Sequence, residues 1–171
     1  AIAQPITNTT DTYTLTVTKT SNGCSSTDAV IVAIDTTRPS ANAGINKIIT
    51  CTNPTQVIGT AATTGNSYAW TPSVGLSNTA IAQPTAKKTG NYVLTETKNA
   101  NGCTSSDAVL VTADTTRPGA NAGVDKTITC SNPTHVIGTI AVAGVSYSWS
   151  PGIGLDNAAI AQPTVNANGI Y

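Results

Sequence analysis

The stretch YVLTETKNANGCTSSDAVLVTA, residues 92–113, decides the fold class of this chain. Apolar and polar side chains alternate over residues 92–97, and a second strand-like run covers residues 106–113. Between them, Asn99-Ala100-Asn101-Gly102 has the composition of a turn. The stretch therefore predicts a β-hairpin in which Tyr92 and Leu94 face the core.

A related stretch occurs earlier in the chain, at residues 13–34, which gives the sequence a 79-residue period. The same period relates the three occurrences of AIAQP, at residues 1–5, 80–84 and 159–163, with no insertion or deletion. A fixed period of this size is typical of tandem copies of one small folding unit. Such arrays serve as spacers, stalks or multivalent surfaces, so we expect no enzymatic activity.

The string Asp-Thr-Thr-Arg-Pro marks the boundaries between copies, at residues 35–39 and 114–118. Its proline fixes an extended backbone and interrupts two strand-like runs. We therefore predict three segments: residues 1–38 are the C-terminal part of one repeat, residues 39–117 are a complete repeat with its linker, and residues 118–171 are the N-terminal part of a third. We also expect the chain to be a segment of a longer polypeptide.

The complete repeat shows closely spaced strand signals separated by turn residues, as in a β-sandwich. Ile45 to Cys51, Gln56 to Ala61 and Ser67 to Thr71 are predicted strands, whereas Ser73 to Pro84 is predicted to hold short edge strands and loops. β-branched residues are abundant, which favours strands over helices. The predicted fold class is all-β, a tandem array of immunoglobulin-like β-sandwiches. The predicted core residues are Tyr68, Trp70, Tyr92, Leu94, Tyr147 and Trp149.

The composition argues against two classes of partner. Charged residues make up 9% of the chain, with eight basic and eight acidic side chains, so the electrostatic footprint of a nucleic-acid-binding protein is missing. No apolar run approaches the roughly 20 residues that span a bilayer, so we expect no membrane insertion in this segment.

Several short motifs together resemble a known repeat family. They are ANAG (41–44), ITC (49–51), YAWTP (68–72), GLS (75–77), QPT (83–85), YVLT (92–95) and NGC (101–103). The chain resembles the PKD-like or immunoglobulin-like repeats of giant Bacteroidota cell-surface adhesins, including those of gliding motility. The resemblance implies export by the type IX secretion route and an extracellular location at the cell surface.

Repetition and resemblance together predict a structural role: a stiff stalk or filament body within a long surface adhesin or fibre. The expected partners are neighbouring repeats of the same chain, with other copies in a fibre as a further possibility. Strand donation between chains would also account for the two incomplete repeats, but truncation of a longer array is the simpler explanation. Two alternatives stay open. The repeats could form a glycan- or protein-binding module through the loops around Gly75 to Gln83, or they could be the spacer of a large secreted enzyme.

Four cysteines, two per repeat, are disulfide candidates: Cys24, Cys51, Cys103 and Cys130. The spacing of a zinc site is missing, and free buried thiols are the alternative to disulfides. One interpretation joins Cys51 to Cys103 within the complete repeat. The other joins Cys51 to the hairpin cysteine of the following repeat, because an immunoglobulin-like topology places the first strand's end and the last hairpin at opposite poles.

The remaining candidates are weaker. His135, the single histidine, occupies the position of Gln56 in the preceding repeat and is interpreted as an exposed strand residue. Thr36 and Thr115 follow aspartates in a pattern that resembles the O-glycosylation signal of exported Bacteroidota proteins. Asp35 and Asp114, near Asn42 and Asn121, could contribute oxygen ligands to a junction Ca²⁺, although few carboxylates are present for the six to eight ligands required.

Overall fold

The computed structural model describes residues 4–171, and within them all regular structure is β. The chain divides into two compact units, Ala1–Thr115 and Thr116–Tyr171. No helix among the described residues is long and apolar enough to cross a membrane.

The first unit begins with a hairpin of two antiparallel strands, β1 (Asp11–Thr18) and β2 (Ser25–Val32). Asp11 pairs with Val32 at its open end. Nearly every residue of the hairpin is exposed to solvent, including apolar side chains such as Leu15 and Ile31.

Six further strands complete this unit: β3 (Lys47–Thr50), β4 (Gln56–Val57), β5 (Asn66–Thr71), β6 (Thr85–Ala86), β7 (Gly90–Lys98) and β8 (Thr104–Asp114). They form a four-stranded sheet in the order β3-β8-β7-β5 and a two-stranded sheet of β4 and β6. The β3–β8 pair is parallel, whereas the β7–β8 and β5–β7 pairs are antiparallel.

The second strand of the complete repeat is shorter than predicted. It ends at Val57 because the next residues bond elsewhere: the Ile58 amide donates to Pro84 O at 3.1 Å and the Gly59 amide to Ala43 O at 2.9 Å. Gly59 has a φ of 83°, and a Cβ there would lie 2.0 Å from Ala82 O, so the chain requires glycine at this turn. Within Ser73 to Pro84, only the isolated bridge from Leu76 to Ala86 is strand-like.

One hydrophobic cluster draws buried residues from both sheets of residues 39–115. Its members are Ala43, Ile49, Ile58, Trp70, Ala86, Tyr92, Leu94, Val109 and Val111, with Ala41, Tyr68 and Leu76 packed against them. Trp70 and Leu94 are each 2% exposed. Their alternating positions on β5 and β7 place them on the inner face of the four-stranded sheet.

The buried aromatic rings also satisfy their polar atoms. Trp70 Nε1 donates to Ile81 O at 2.9 Å, and the Tyr92 hydroxyl donates to Lys88 O at 3.0 Å. Both bonds reach loop carbonyls rather than strand partners, so they fix the loops to the core.

The second unit contains two short strands, β9 (His135–Val136) and β10 (Thr164–Val165), which pair antiparallel. Its local contacts repeat those of the first unit at the 79-residue period: Trp149 Nε1 donates to Ile160 O at 2.9 Å, and the Tyr171 hydroxyl donates to Ala167 O at 3.0 Å. Tyr147 and Trp149 are only half-buried.

Candidate functional site

Two backbone segments run side by side through the first unit in a fixed parallel register. In the β3–β8 ladder, Lys47 lies opposite Val111 and Thr50 opposite Asp114. A ladder of hydrogen bonds between parallel strands resists sliding of one strand along the other, because every bond must break in the same displacement.

The same alignment continues ahead of β3 through side chains of β8. The amide of Ala41 donates to Ser105 Oγ at 3.0 Å, and the amide of Ala43 donates to Asp107 Oδ2 at 2.8 Å. Both pairs keep the register of the ladder. Residues 41–50 are therefore attached to residues 105–114 along their whole length. We call this pair of segments the terminal clamp.

The Asp-Thr-Thr-Arg-Pro linker that precedes the clamp is bonded to the β7–β8 turn of the complete repeat. Asn101 Nδ2 donates to Thr37 O at 2.9 Å and to Asp35 O at 3.3 Å. Lys98 Nζ forms an ion pair with Asp35 Oδ2 at 3.1 Å. Two side chains of the turn thus hold the linker from residue 35 to residue 37, and we call this contact the linker site.

Arg38 adds a further bond to the linker site, with Nη1 donating to Thr104 O at 3.3 Å. The guanidinium therefore contacts the residue that opens β8, on the other side of the turn from Lys98. The linker is held at both strand ends of the hairpin.

The acidic residue of the linker site is strongly stabilised as a carboxylate. Asp35 Oδ1 accepts a hydrogen bond from the Thr37 amide at 2.9 Å. Bonds from the Thr37 side chain and amide, followed by the bond from Lys98, lower the pKa of Asp35 well below its usual range. Asp35 is therefore charged at every physiological pH.

The other linker candidates lie in the open. Thr36 and Thr115 are exposed and outside strands, which is the setting that a modifying enzyme requires. The described residues hold no group of three or more His, Cys, Asp or Glu side chains placed to bind a metal ion. Asn42 Oδ1 and Asn121 Oδ1 accept bonds from the amides two residues on, Gly44 and Gly123, as in a turn.

The four cysteines are all free thiols in the structure; Cys103 is half-buried and the other three are exposed. The predicted Cys51–Cys103 pair is wrong for this structure because its two residues lie at opposite ends of the four-stranded sheet. Cys51 follows Thr50, which pairs with the last residue of β8, whereas Cys103 precedes the first. The length of β8 separates the two ends by about 33 Å, against the roughly 6 Å between Cα atoms of a disulfide.

His135 has a structural contact rather than a catalytic partner. Its Nε2 lies 2.7 Å from Thr127 O, and Gln56 Nε2 donates to Ile48 O at the same distance in the preceding repeat. The two contacts are equivalent under the 79-residue period. Because a carbonyl only accepts, the His135 ring carries its proton on Nε2 when neutral.

Reasoning from motifs marked the linker and the first strand of the clamp but missed the side chains that bond to them, namely Lys98, Asn101, Ser105 and Asp107. A signal was present: Lys98, Asn101, Ser105 and Asp107 are identical to Lys19, Asn22, Ser26 and Asp28 of the preceding copy. Retention of polar side chains between copies of a small domain indicates that they make specific bonds. No family model matches the chain, and no curated protein is significantly similar to it.

Proposed function

We propose that this chain is a load-bearing stalk segment, built from tandem immunoglobulin-like β-sandwich repeats. Two observations support the architecture. The four-stranded and two-stranded sheets of residues 39–115 share one hydrophobic cluster. Local contacts, such as those of Trp70 and Trp149, recur at the 79-residue period of the sequence.

The terminal clamp is the observation that carries the mechanical role. The chain arrives along residues 41–50 and leaves along residues 105–114, and the two segments are parallel neighbours. A pull on the two chain ends therefore shears the clamp and loads its bonds together. The bonds of an unzipped hairpin, in contrast, break one at a time. The chain thus presents its most resistant geometry to the force that a stalk experiences.

The linker site supplies the stiffness that a stalk needs between repeats. Five bonds join the linker to the following turn or within itself, and the ion pair adds charge assistance to one of them. A linker of a few residues that is held in this way transmits orientation from one repeat to the next. We extend the proposal to a long extracellular adhesin or surface fibre, which rests on the family resemblance of the motifs.

Single-molecule force spectroscopy of the full chain tests the proposal. Handles are attached first at the two chain ends and then at the N-terminus and residue 101, in variants whose native cysteines are replaced by serine. End-to-end pulling is expected to release residues 39–115 in one event at the higher force. The second geometry is the matched control, because the same fold is pulled without shearing the whole clamp.

Equal forces in the two geometries would contradict the load-bearing role. A folded unit that gives way below the force that opens the isolated β1–β2 hairpin would contradict it as well. Neither result depends on whether the protein lies at the cell surface. Immunogold labelling of intact cells with antibody against residues 39–115 tests that location separately.

A further inference from the structure

The two cysteines of a repeat lie at its opposite ends. Cys51 follows Thr50, opposite Asp114 at the end of β8, and is exposed. Cys103 lies in the β7–β8 turn, where its amide donates to Asn101 Oδ1 at 3.0 Å. Neither thiol has a cysteine of its own repeat within reach.

The 79-residue period connects these two positions across a junction. Thr50 pairs with Asp114 and Cys51 comes next in the chain; because Asp35 is the counterpart of Asp114, the cysteine after β3 of a preceding repeat would by the same register lie next to Asp35. Asp35 itself is bonded to the turn of the next repeat, through Lys98 and Asn101. Asn101 in turn accepts the bond from the Cys103 amide.

We propose that Cys103 forms a disulfide with the cysteine that follows β3 in the preceding repeat, and that each junction of the array carries one such bond. The proposal rests on the tandem arrangement of the proposed function. Asp35 is the common neighbour of both thiols, so the linker site brings them together. The Cys103 thiol is half-buried next to the turn that holds the linker, and its partner is of the exposed type represented by Cys51.

Formation of the bond is an oxidation that needs an acceptor. Two thiols lose two protons and two electrons and become one S–S bond, while a disulfide of a small thiol compound or of an oxidoreductase takes up both and becomes two thiols. An oxidising compartment outside the cytoplasm supplies such disulfides. The bond would tie the far end of one repeat to the turn of the next and close the linker into a loop.

The first experiment uses the chain as it is. After incubation with oxidised glutathione, residues 1–171 are expected to contain no intrachain disulfide in a non-reducing peptide map. The reason is that Cys24, Cys51, Cys103 and Cys130 each lack the partner that the proposal assigns to them. A Cys51–Cys103 peptide would overturn the proposal.

The second experiment supplies one partner. Residues 39–79 are placed ahead of residue 1, which completes the first repeat because residues 1–5 are identical to residues 80–84. The extended chain contains all 171 residues and a copy of Cys51 in the first repeat. The proposal predicts one disulfide, between that copied cysteine and Cys103. Bonding of the copied cysteine to Cys24 would overturn it.

Matched variants keep the test decisive. Cys103→Ser is expected to abolish the intrachain bond, whereas Cys24→Ser is expected to leave it in full yield. Far-UV circular dichroism identifies a variant that fails to fold. An extended chain that folds but keeps five free thiols also overturns the proposal. That result would not contradict the load-bearing role, because the force measurement uses variants whose cysteines are replaced.

Discussion

Residues 39–115 and 116–171 carry the same pattern of motifs, yet only the first set forms a four-stranded sheet. The tetrapeptide at residues 47–50 is the strand β3, whereas its near-identical counterpart at residues 126–129 is not a strand. Trp70 is 2% exposed and Trp149 is half-buried. The difference lies in the β7–β8 hairpin: β8 pairs with residues 47–50, and no strand of the described residues takes that place beside residues 126–129.

The comparison shows that β propensity alone does not make a strand. Among the described residues, no strand pairs with residues 126–129, and the bonds of this segment are local: the Thr129 amide donates to Asn132 O, and Thr127 O is bonded to His135 Nε2. Two open grooves of about 560 and 510 Å³ adjoin Trp149. Ile128, Ile137 and Val165 line the larger groove, and their counterparts in the complete repeat belong to the hydrophobic cluster.

The β1–β2 hairpin shows the converse situation. All its residues are paired across the two strands, but its apolar side chains remain open to solvent: Leu15 is 63% exposed and Val30 is 60% exposed. Their counterparts in the complete repeat, Leu94 and Val109, are 2% and 0% exposed. The hairpin and the remaining strands therefore supply the two halves of one core.

The largest effect is expected from completing the second unit. Residues 93–114 are appended after Tyr171, which gives the second unit a copy of the β7–β8 hairpin. Residues 126–129 should then pair as β3 does, and Trp149 should become as buried as Trp70. Hydrogen exchange of the peptide that spans residues 126–129 and acrylamide quenching of Trp149 measure the change.

A control chain carries the same appended residues with the copied counterpart of Leu94 changed to aspartate. The control should keep Trp149 accessible to acrylamide. Unchanged exchange at residues 126–129 in the completed chain would show that the hairpin is not what distinguishes the two regions.

Truncation of one leucine at the same place in two copies should give the next largest effect. Leu94→Ala removes a buried side chain from the cluster and is expected to cost about 2–5 kcal/mol of unfolding free energy. Leu15→Ala removes an exposed side chain and should change stability by less than about 0.5 kcal/mol. Urea denaturation is followed by far-UV circular dichroism, which covers the β1–β2 hairpin of Leu15, and by the indole N–H signal of Trp70, which covers the complete repeat. Similar losses of unfolding free energy in both variants would contradict the claim that burial distinguishes the two leucines.

A buried polar pair distinguishes the complete repeat from its neighbours and should give an intermediate effect. Glu96 is 4% exposed and accepts a bond from Asn66 Nδ2 at 2.6 Å. The neighbouring copies carry Val17 in place of the glutamate and Val145 in place of the asparagine. Asn66→Val alone removes the hydrogen bond to the buried Glu96 carboxyl and should lower the free energy of unfolding by about 1–3 kcal/mol.

The double variant Asn66→Val with Glu96→Val should be close to neutral, because both polar partners leave together. A double-mutant cycle in urea measures the coupling between the two positions. Additive losses would mean that the pair does not act as a unit.

The all-β class could be predicted from the sequence, because alternation over residues 92–97 and the turn after it depend on local chemistry alone. The ends of the strands could not. β4 stops at Val57 because Gly59 turns the chain toward Ala43, a contact between residues distant in sequence. The linker site was also beyond prediction, since Asn101 reaches a linker far from it in sequence. Only the retained polar residues of the repeat hinted at it.

The smallest effect is expected at the linker before the complete repeat, where Lys98 and Asn101 of the β7–β8 turn bond to Asp35 and Asn101 also bonds to Thr37. The pKa of Asp35 is lower folded than unfolded, so its contribution to stability is present above about pH 4 and is lost as the pH falls through the folded value. A carboxyl ¹³C titration should show a midpoint below that of a free aspartate.

Two variants test which contacts lower the pKa of Asp35, because Thr37 contributes more to the lowering than Lys98 does. Thr37→Val removes the first contributor and should raise the pKa of Asp35 more than Lys98→Met does. Lys19→Met, the same change in the β1–β2 turn, should leave the titration of Asp35 as it was. A larger rise for Lys98→Met than for Thr37→Val would mean that the turn holds the linker mainly by charge. The contact between the turn and the linker would then weaken in high salt, because an exposed ion pair is screened whereas neutral hydrogen bonds are not.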